Sequence, residues 1–239
     1  MIPLHDDNPT RTKPVLTVLL IAANALVFLY QLSLGARGGE TFVYQFGAIP
    51  AVIVGMRSLP AALATIPPAF SLLTSMFLHG GFMHLIGNML YLWIFGNNIE
   101  DAMGRVRFLV FYLLCGFAAS FVHILMNTAS EIPAIGASGA ISGVLGAYLL
   151  LYPRAQVLTL IPIFYFIRLM YIPAGIVLGL WFVFQLVSGG LASGEGGGVA
   201  WWAHVGGFVA GMALVALFKK RDVRMFNPPS PHPRFVDRW

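Results

Sequence analysis

Six apolar runs occupy most of the chain, at 14–34, 82–97, 105–127, 136–152, 170–188 and 199–218. Crossing a hydrocarbon core of about 30 Å takes roughly 20 helical residues. Within that core a helix satisfies its own backbone N–H and C=O groups. The runs therefore predict an all-α integral membrane protein built as a bundle of six transmembrane helices. Charged residues make up 10% of the chain, against about 25% in an ordinary soluble domain, as expected where most of the surface faces lipid. The second and fourth runs are short, and short or glycine-broken spans tend to line a site.

The placement of charge supports an even number of spans. Arg11 and Lys13 precede the first run, Arg105 and Arg107 lie between the second and third, and Arg154 and Arg168 lie between the fourth and fifth. Lys219, Lys220, Arg221, Arg224, Arg234 and Arg238 follow the last. The alternate loops hold only Arg37 and Arg57. By the positive-inside rule both termini are then cytoplasmic, in a multi-pass protein of the cell (inner) membrane. The organisation expected is a short tail at 1–13, a membrane domain at 14–218 and a basic, Pro-rich tail at 219–239, disordered from about 221. The first run is longer than a signal-peptide core and lacks a small-residue cleavage site, so it reads as a retained span.

The net charge of +5 reports this topology and contact with anionic headgroups. It does not suggest nucleic acid, because no basic patch is interleaved with aromatics. The single cysteine, Cys115, excludes an internal disulfide and reads as a small apolar packing residue. No internal repeat supports an inverted-repeat transporter. The first loop, about 35–80, is too broken by Pro and Gly to cross the bilayer and too apolar to float in water, so a membrane-associated position is expected. The apolar run 158–167 is expected to lie along the cytoplasmic interface.

Three groups of residues can carry chemistry. Ser138, in Gly136-Ala137-Ser138-Gly139, opens the fourth run. A serine at a helix N-terminus sits beside unsatisfied N–H groups able to stabilise an oxyanion, and Gly136 and Gly139 allow close backbone approach. His204, in Ala203-His204-Val205-Gly206-Gly207, is an ionisable residue inside a span and so a functional candidate. Ser138, Ser142 and Gly146 on one helix, and Ala203, Gly207 and Gly211 on the other, form small-residue stripes that would let the two approach closely. Both polar residues begin near the non-cytoplasmic end, at depths differing by about 4–5 Å, so contact is feasible. The third group is His79…His84…Asn88 at the entry to the second run. His84 and Asn88 share a helical face and can supply N–H donors. His79 and His84 are five apart with no accompanying Glu, unlike a metalloprotease helix, so no metal is expected.

Taken together and in this order, the motifs His79…His84…Asn88, Gly136-Ala137-Ser138-Gly139 and Ala203-His204-Val205-Gly206-Gly207 with Gly211 resemble the rhomboid family of intramembrane serine proteases, bacterial type with six spans. Glu100 and Gly104 also match a family pattern, and the resemblance covers roughly 70–218. It implies an intramembrane serine endopeptidase that cuts in or near transmembrane helices without cofactor or metal. Ser138 would be the nucleophile and His204 the general base, a dyad without an aspartate. Asn88, His84 and the Ser138 backbone N–H would form the oxyanion hole, and His79 would belong to the water-supplying mouth. Substrates would be single-span membrane proteins with small or helix-weakening residues near the outer face, admitted by movement of the first loop or the fifth span.

The chain departs from the family pattern twice. Members often carry Trp-Arg where this chain has Phe70-Ser71, which alters how the first loop is fastened. Many also have an aromatic residue one turn after the nucleophile, against which the histidine stacks. Here that position is Ser142, so something else must orient His204.

Overall fold

The computed structural model describes residues 1–163, 166–191 and 199–228. Among these, four helices are each long and apolar enough to cross a membrane: α1 (Val15–Ser33), α7 (Arg105–Met126), α9 (Ala174–Leu191) and α10 (Trp201–Phe218). The second run begins as α5 (Phe82–Tyr91) and continues through a π-helical turn at Leu92–Gly96 into α6 (Asn97–Met103). With the short turns at Pro68–Phe77 before it, this makes a further apolar pair bent by 81°. The fourth run is the short helix α8 (Ser138–Leu151). The result is the helical membrane bundle expected from the chain. Large apolar side chains on its outer faces, such as Leu26, Leu29, Val106, Val183, Phe184 and Leu217, stand open to lipid.

α8 is the central helix. Eleven of its side chains or glycine positions are buried, from Gly139 through Tyr148 and at Leu151, as a helix apolar all round requires. It packs most closely on α10. A Cβ on Gly207 would strike the carbonyl oxygen of Gly139, one on Gly211 the carbonyl oxygen of Gly143, and one on Gly146 the carbonyl oxygen of Phe208. The stripe expected on α10 is therefore the one in contact. On α8 the contact is carried by Gly139, Gly143 and Gly146 rather than by Ser138 and Ser142, because the helix is rotated by one residue from that expectation. In lipid, where apolar surface gains nothing from leaving water, such backbone proximity is a principal source of helix affinity.

The first loop folds into α2 (Gly35–Phe46), α3 (Pro50–Ile53) and α4 (Ser71–Thr74) with turns between. It braces the segment that leads into α8. Ala48 and Ala134 exchange both backbone hydrogen bonds, at 3.1 and 2.8 Å, and the Gly136 N–H donates to the Ser75 carbonyl at 2.9 Å. The exposed Arg57 and Glu131 pair at 2.7 Å. At the positions where Trp-Arg is often found, Phe70 is exposed and the Ser71 hydroxyl donates to the nearby Pro68 carbonyl. Thr74 instead ties the loop together, its hydroxyl donating to the Phe46 carbonyl at 2.6 Å.

The segment between α8 and α9 departs most from expectation. The described residues of the run 158–167 form strands. They belong to an antiparallel hairpin of β2 (Gln156–Ile163) and β3 (Phe166–Pro173), and β1 (Ile2–Asp6) adds antiparallel to β2 in the order β1-β2-β3. An apolar run of this length is compatible with a strand or a buried helix. The β-branched residues Val157, Thr159 and Ile161 suit the strand. The fifth helix accordingly starts at Ala174, after Pro173, and not at 170. Residues 221–228 are not free either, since the Phe226 and Asn227 N–H groups donate to the Leu150 and Leu151 carbonyls. The rest of the Pro-rich tail lies outside the described residues.

Glu100 fastens the first span. Its carboxylate accepts from the Leu16 N–H at 3.0 Å, the Thr17 N–H at 2.7 Å and the Thr17 hydroxyl at 2.8 Å, all at the N-terminus of α1. A carboxylate there satisfies orphan donors and meets the positive end of the helix dipole. Its neighbour Asp101 accepts from the Arg11 N–H and the Thr12 hydroxyl, and the Lys220 ammonium donates to the Asp101 carbonyl at 2.6 Å. Asp6, at the end of β1, is buried and accepts a 2.6 Å hydrogen bond from the Tyr148 hydroxyl of α8. Burial pushes its carboxyl up to about 7, and the Tyr148 bond only partly opposes this.

These contacts generate two expectations. Gly211→Ala drives a methyl group into the Gly143 backbone and should destabilise the protein by about 1–3 kcal/mol. Gly179→Ala, whose Cβ meets nothing within 4 Å, should be neutral or slightly stabilising. Thermal unfolding in detergent compares them. For Asp6, the folded protein retains a proton that the unfolded chain has lost between its ordinary pKa of 3.8 and about 7. The stability it contributes is thus complete at the acid end and declines across that window as pH rises. Amide-exchange protection of β1, corrected for intrinsic rates, should fall between about pH 4 and pH 7 in the wild type and stay level in Asp6→Asn.

Candidate active site

α8 begins at Ser138, and its N-cap residue, Ala137, makes no side-chain capping bond. The N–H groups of the first turn therefore have no intrahelical partner and no side-chain cap. Ser138 is half-buried at this end, and its Oγ lies 2.8 Å from Nε2 of the buried His204. Gly139 and Gly207 meet one turn into the interface, which brings α10 close enough for a histidine one turn earlier to reach the serine. Ser142 is not hydrogen-bonded to the imidazole in this arrangement. Its hydroxyl donates at 2.6 Å to the Ser138 carbonyl in its own helix, a back-bond common for serine in helices.

α5 supplies the second half of the site. Nδ1 of His84 accepts from the Gly80 N–H at 3.3 Å, which leaves Nε2 as the protonated, donating nitrogen of a neutral ring. Asn88 is buried, and its amide nitrogen lies 3.0 Å from His79 Nε2. An amide nitrogen carries two hydrogens, so one remains after that bond. Both donors converge on Gly136. A Cβ there would come within 2.7 Å of His84 Nε2 and 3.6 Å of Asn88 Nδ2. Gly136 also has φ +119°, a conformation that glycine tolerates and other residues resist. Its role in the motif is therefore both conformational and steric. His79 is fully buried behind Asn88, with its ring 5.0 Å from that of His84 and its carbonyl accepting from Gln31 at 2.8 Å.

A cavity of about 920 Å³ is lined by residues that include Met83, His84, Asn88, Ser138, Trp181 and His204. Its walls come from α5, the end of α7, the 130–135 segment, α8, α9 and the start of α10. The structure thus brings together Ser138, His204, Asn88, His84, His79, Gly136, Gly139 and Gly207.

Three residues at the site were not singled out as such from the sequence. Gln185 of α9 is buried and its Oε1 lies 2.7 Å from Nδ1 of His204. Trp181, one turn earlier, places its ring 5.8 Å from the imidazole at an interplanar angle of 37°. His123 of α7 lines the cavity. A glutamine within an apolar run was itself a signal, since a polar group in hydrocarbon requires a partner.

Residues 68–221 match the model of the Rhomboid domain. The chain is 37% identical over 138 residues to "Rhomboid protease GluP" of Bacillus subtilis, covering 57% of this chain and 24% of that protein. It is 33% identical over 147 residues to "RHOMBOID-like protein 1" of Arabidopsis thaliana, covering 62% of this chain and 34% of the relative. With "Rhomboid protein 1, mitochondrial" of Saccharomyces cerevisiae it shares 38% identity over 92 residues, 37% of this chain and 27% of the relative. The matches thus span about a quarter to a third of these relatives' own lengths. With the Rhomboid domain covering more than half of its residues, this multi-pass membrane protein belongs to the rhomboid family.

Proposed function

We propose that this protein is an intramembrane serine endopeptidase that hydrolyses peptide bonds in or near transmembrane helices of membrane-protein substrates. The observation that carries this reading is the 2.8 Å contact between Ser138 Oγ and His204 Nε2. A hydroxyl is a poor nucleophile until a base takes its proton, and His204 is placed to do so. Ser138 Oγ then attacks the scissile carbonyl carbon, and the carbonyl oxygen takes up negative charge. The donors directed at that region are the Ser138 backbone N–H, Asn88 Nδ2 and His84 Nε2, and such preorganised donors are worth most while charge develops. The imidazolium returns its proton to the leaving amine, and the acyl-serine is released by water activated by the same histidine. His79, buried behind the cavity wall and not at its mouth, steadies Asn88 from behind.

The substrates in this reading are single-span membrane proteins. Small or helix-weakening residues near the outer face would allow an extended segment to enter the cavity. The membrane is the cell membrane with both termini cytoplasmic, and 14–218 is the membrane domain between the 1–13 and 219–239 segments. The lysines and arginines beside the ends of the spans favour this orientation.

Reconstitution with a generic single-span substrate tests the reading. Wild-type protein should cleave it and take up a fluorophosphonate at Ser138. Ser138→Ala and His204→Ala should each lower cleavage by at least about 10³-fold, while Asn88→Ala should lower kcat by about 10²–10³ with smaller change in KM. A wild type that neither cleaves nor labels would overturn the proposal.

A further inference from the structure

His204 needs an orienting partner, because an imidazole serves as base to Ser138 only if Nε2 is unprotonated. A neutral ring carries its proton on one nitrogen or the other. The ring must also stay in the plane that keeps Nε2 on the serine. The residue one turn beyond the nucleophile, Ser142, is occupied with the Ser138 carbonyl and offers no surface to stack on. Among the described residues, the other titratable groups lining the cavity are His84 of α5, Tyr91 of the same helix and His123 of α7, with no carboxylate.

α9 supplies what is missing. Its buried positions are Ala174, Val177, Leu178, Gln185 and Gly189, and Gln185 alone among them carries a polar side chain. Placing an amide there is unfavourable unless it is hydrogen-bonded. Its bond is to His204, from Oε1 to Nδ1 at 2.7 Å. A carbonyl oxygen accepts, so Nδ1 carries the proton and Nε2 is left with its lone pair towards Ser138. The opposite amide orientation would put the proton on Nε2 and leave the Ser138 hydroxyl without an acceptor. Trp181, four residues before Gln185 and on the same face, covers the ring from the side at 5.8 Å and 37°. Trp181 also lies 5.9 Å from Phe208, and Phe182 stacks on Phe208 at 4.4 Å and 18°. The positioning face is thereby locked to α10, the helix that bears the histidine. One turn further, a Cβ on Gly189 would lie 3.3 Å from both Trp201 and Trp202, so the glycine admits α10 at the distance the Gln185 bond requires.

We propose, on the basis of the proteolytic function proposed above, that Gln185 is the positioning residue of His204, setting its tautomer through Nδ1 while Trp181 holds its plane. The dyad is thus completed by a neutral amide from the fifth span, in the place where a soluble serine protease uses a carboxylate. A neutral acceptor suits this location, since an unpaired carboxylate in the bilayer would be far more costly. Gln185 touches no substrate atom and acts only through the histidine.

Three proteins are compared: wild type, Gln185→Leu, which fills the space without an acceptor, and Gln185→Glu, which keeps an acceptor at the same reach. In proteoliposomes Gln185→Leu should lower kcat by roughly ten- to hundredfold, the loss of one buried hydrogen bond, with KM within about twofold of wild type. Gln185→Glu should recover most of that loss and move the acid limb of kcat/KM to higher pH, because a carboxylate favours the imidazolium. Wild-type kcat in Gln185→Leu, or equal loss in both variants, overturns the proposal. A second readout does not depend on turnover. Nitrogen-15 spectra of histidine-labelled wild type, assigned by comparison with His204→Ala, should show His204 protonated at Nδ1. Protonation at Nε2 overturns the proposal even if Gln185→Leu fails to fold. A wild type with the expected tautomer but no cleavage or labelling would leave the positioning role standing and remove the proteolytic reading instead.

Discussion

The close approach of α8 and α10 is the contact on which the site depends. Glycines at Gly139, Gly143 and Gly146 on one helix and Gly207 and Gly211 on the other bring backbone against backbone, with no room for a single added methyl group. Because the two helices meet at this distance, a serine at the start of one and a histidine near the start of the other come within 2.8 Å. In a bilayer this closeness draws on dispersion between packed surfaces and gains little from expelling apolar area. The complementarity of the two stripes is therefore the structural basis of the Ser138–His204 contact.

Around that pair the protein is braced at both ends. On the side of the active site, the first loop is hydrogen-bonded through Ala48 and Ser75 to the segment containing Ala134 and Gly136. That segment leads into the α8 N-terminus, whose first-turn N–H groups have no side-chain cap. On the opposite side, Glu100 caps α1, Asp101 gathers Arg11, Thr12 and Lys220, and the three-stranded sheet brings Asp6 to Tyr148 at the far end of α8. The central helix is thus tied at its C-terminal end to the N-terminal strand and at its N-terminal end to the Ser138–His204 pair.

The parts of this arrangement that were legible in the sequence share one property: each is a local pattern. Long apolar runs implied spans, glycines at helical spacing implied close packing, and Ser138, His204, His84 and Asn88 were each conspicuous as polar residues near the start of a run. The rotation of α8 was misjudged by one residue, because Ser138, Ser142 and Gly146 form as plausible a small-residue stripe as Gly139, Gly143 and Gly146. The strands of the run 158–167 went unread because a short apolar run does not by itself distinguish a strand from other apolar segments. β1 was passed over because five residues pair as a strand only when an edge awaits them.

Hydrophobicity, charge asymmetry and motif spacing belong to the chain itself. They were enough to establish a membrane bundle of the rhomboid family and to nominate Ser138 and His204. What orients His204 was decided by the tertiary structure, as was the contact between Asp6 and Tyr148, residues 142 positions apart. Such contacts depend on the rotation and depth of helices relative to one another, which are set by the packing of all of them at once. Gln185 and Trp181 read along the chain as a polar interruption and an aromatic in one more apolar run. They become a positioning face only when α9 is laid against α10.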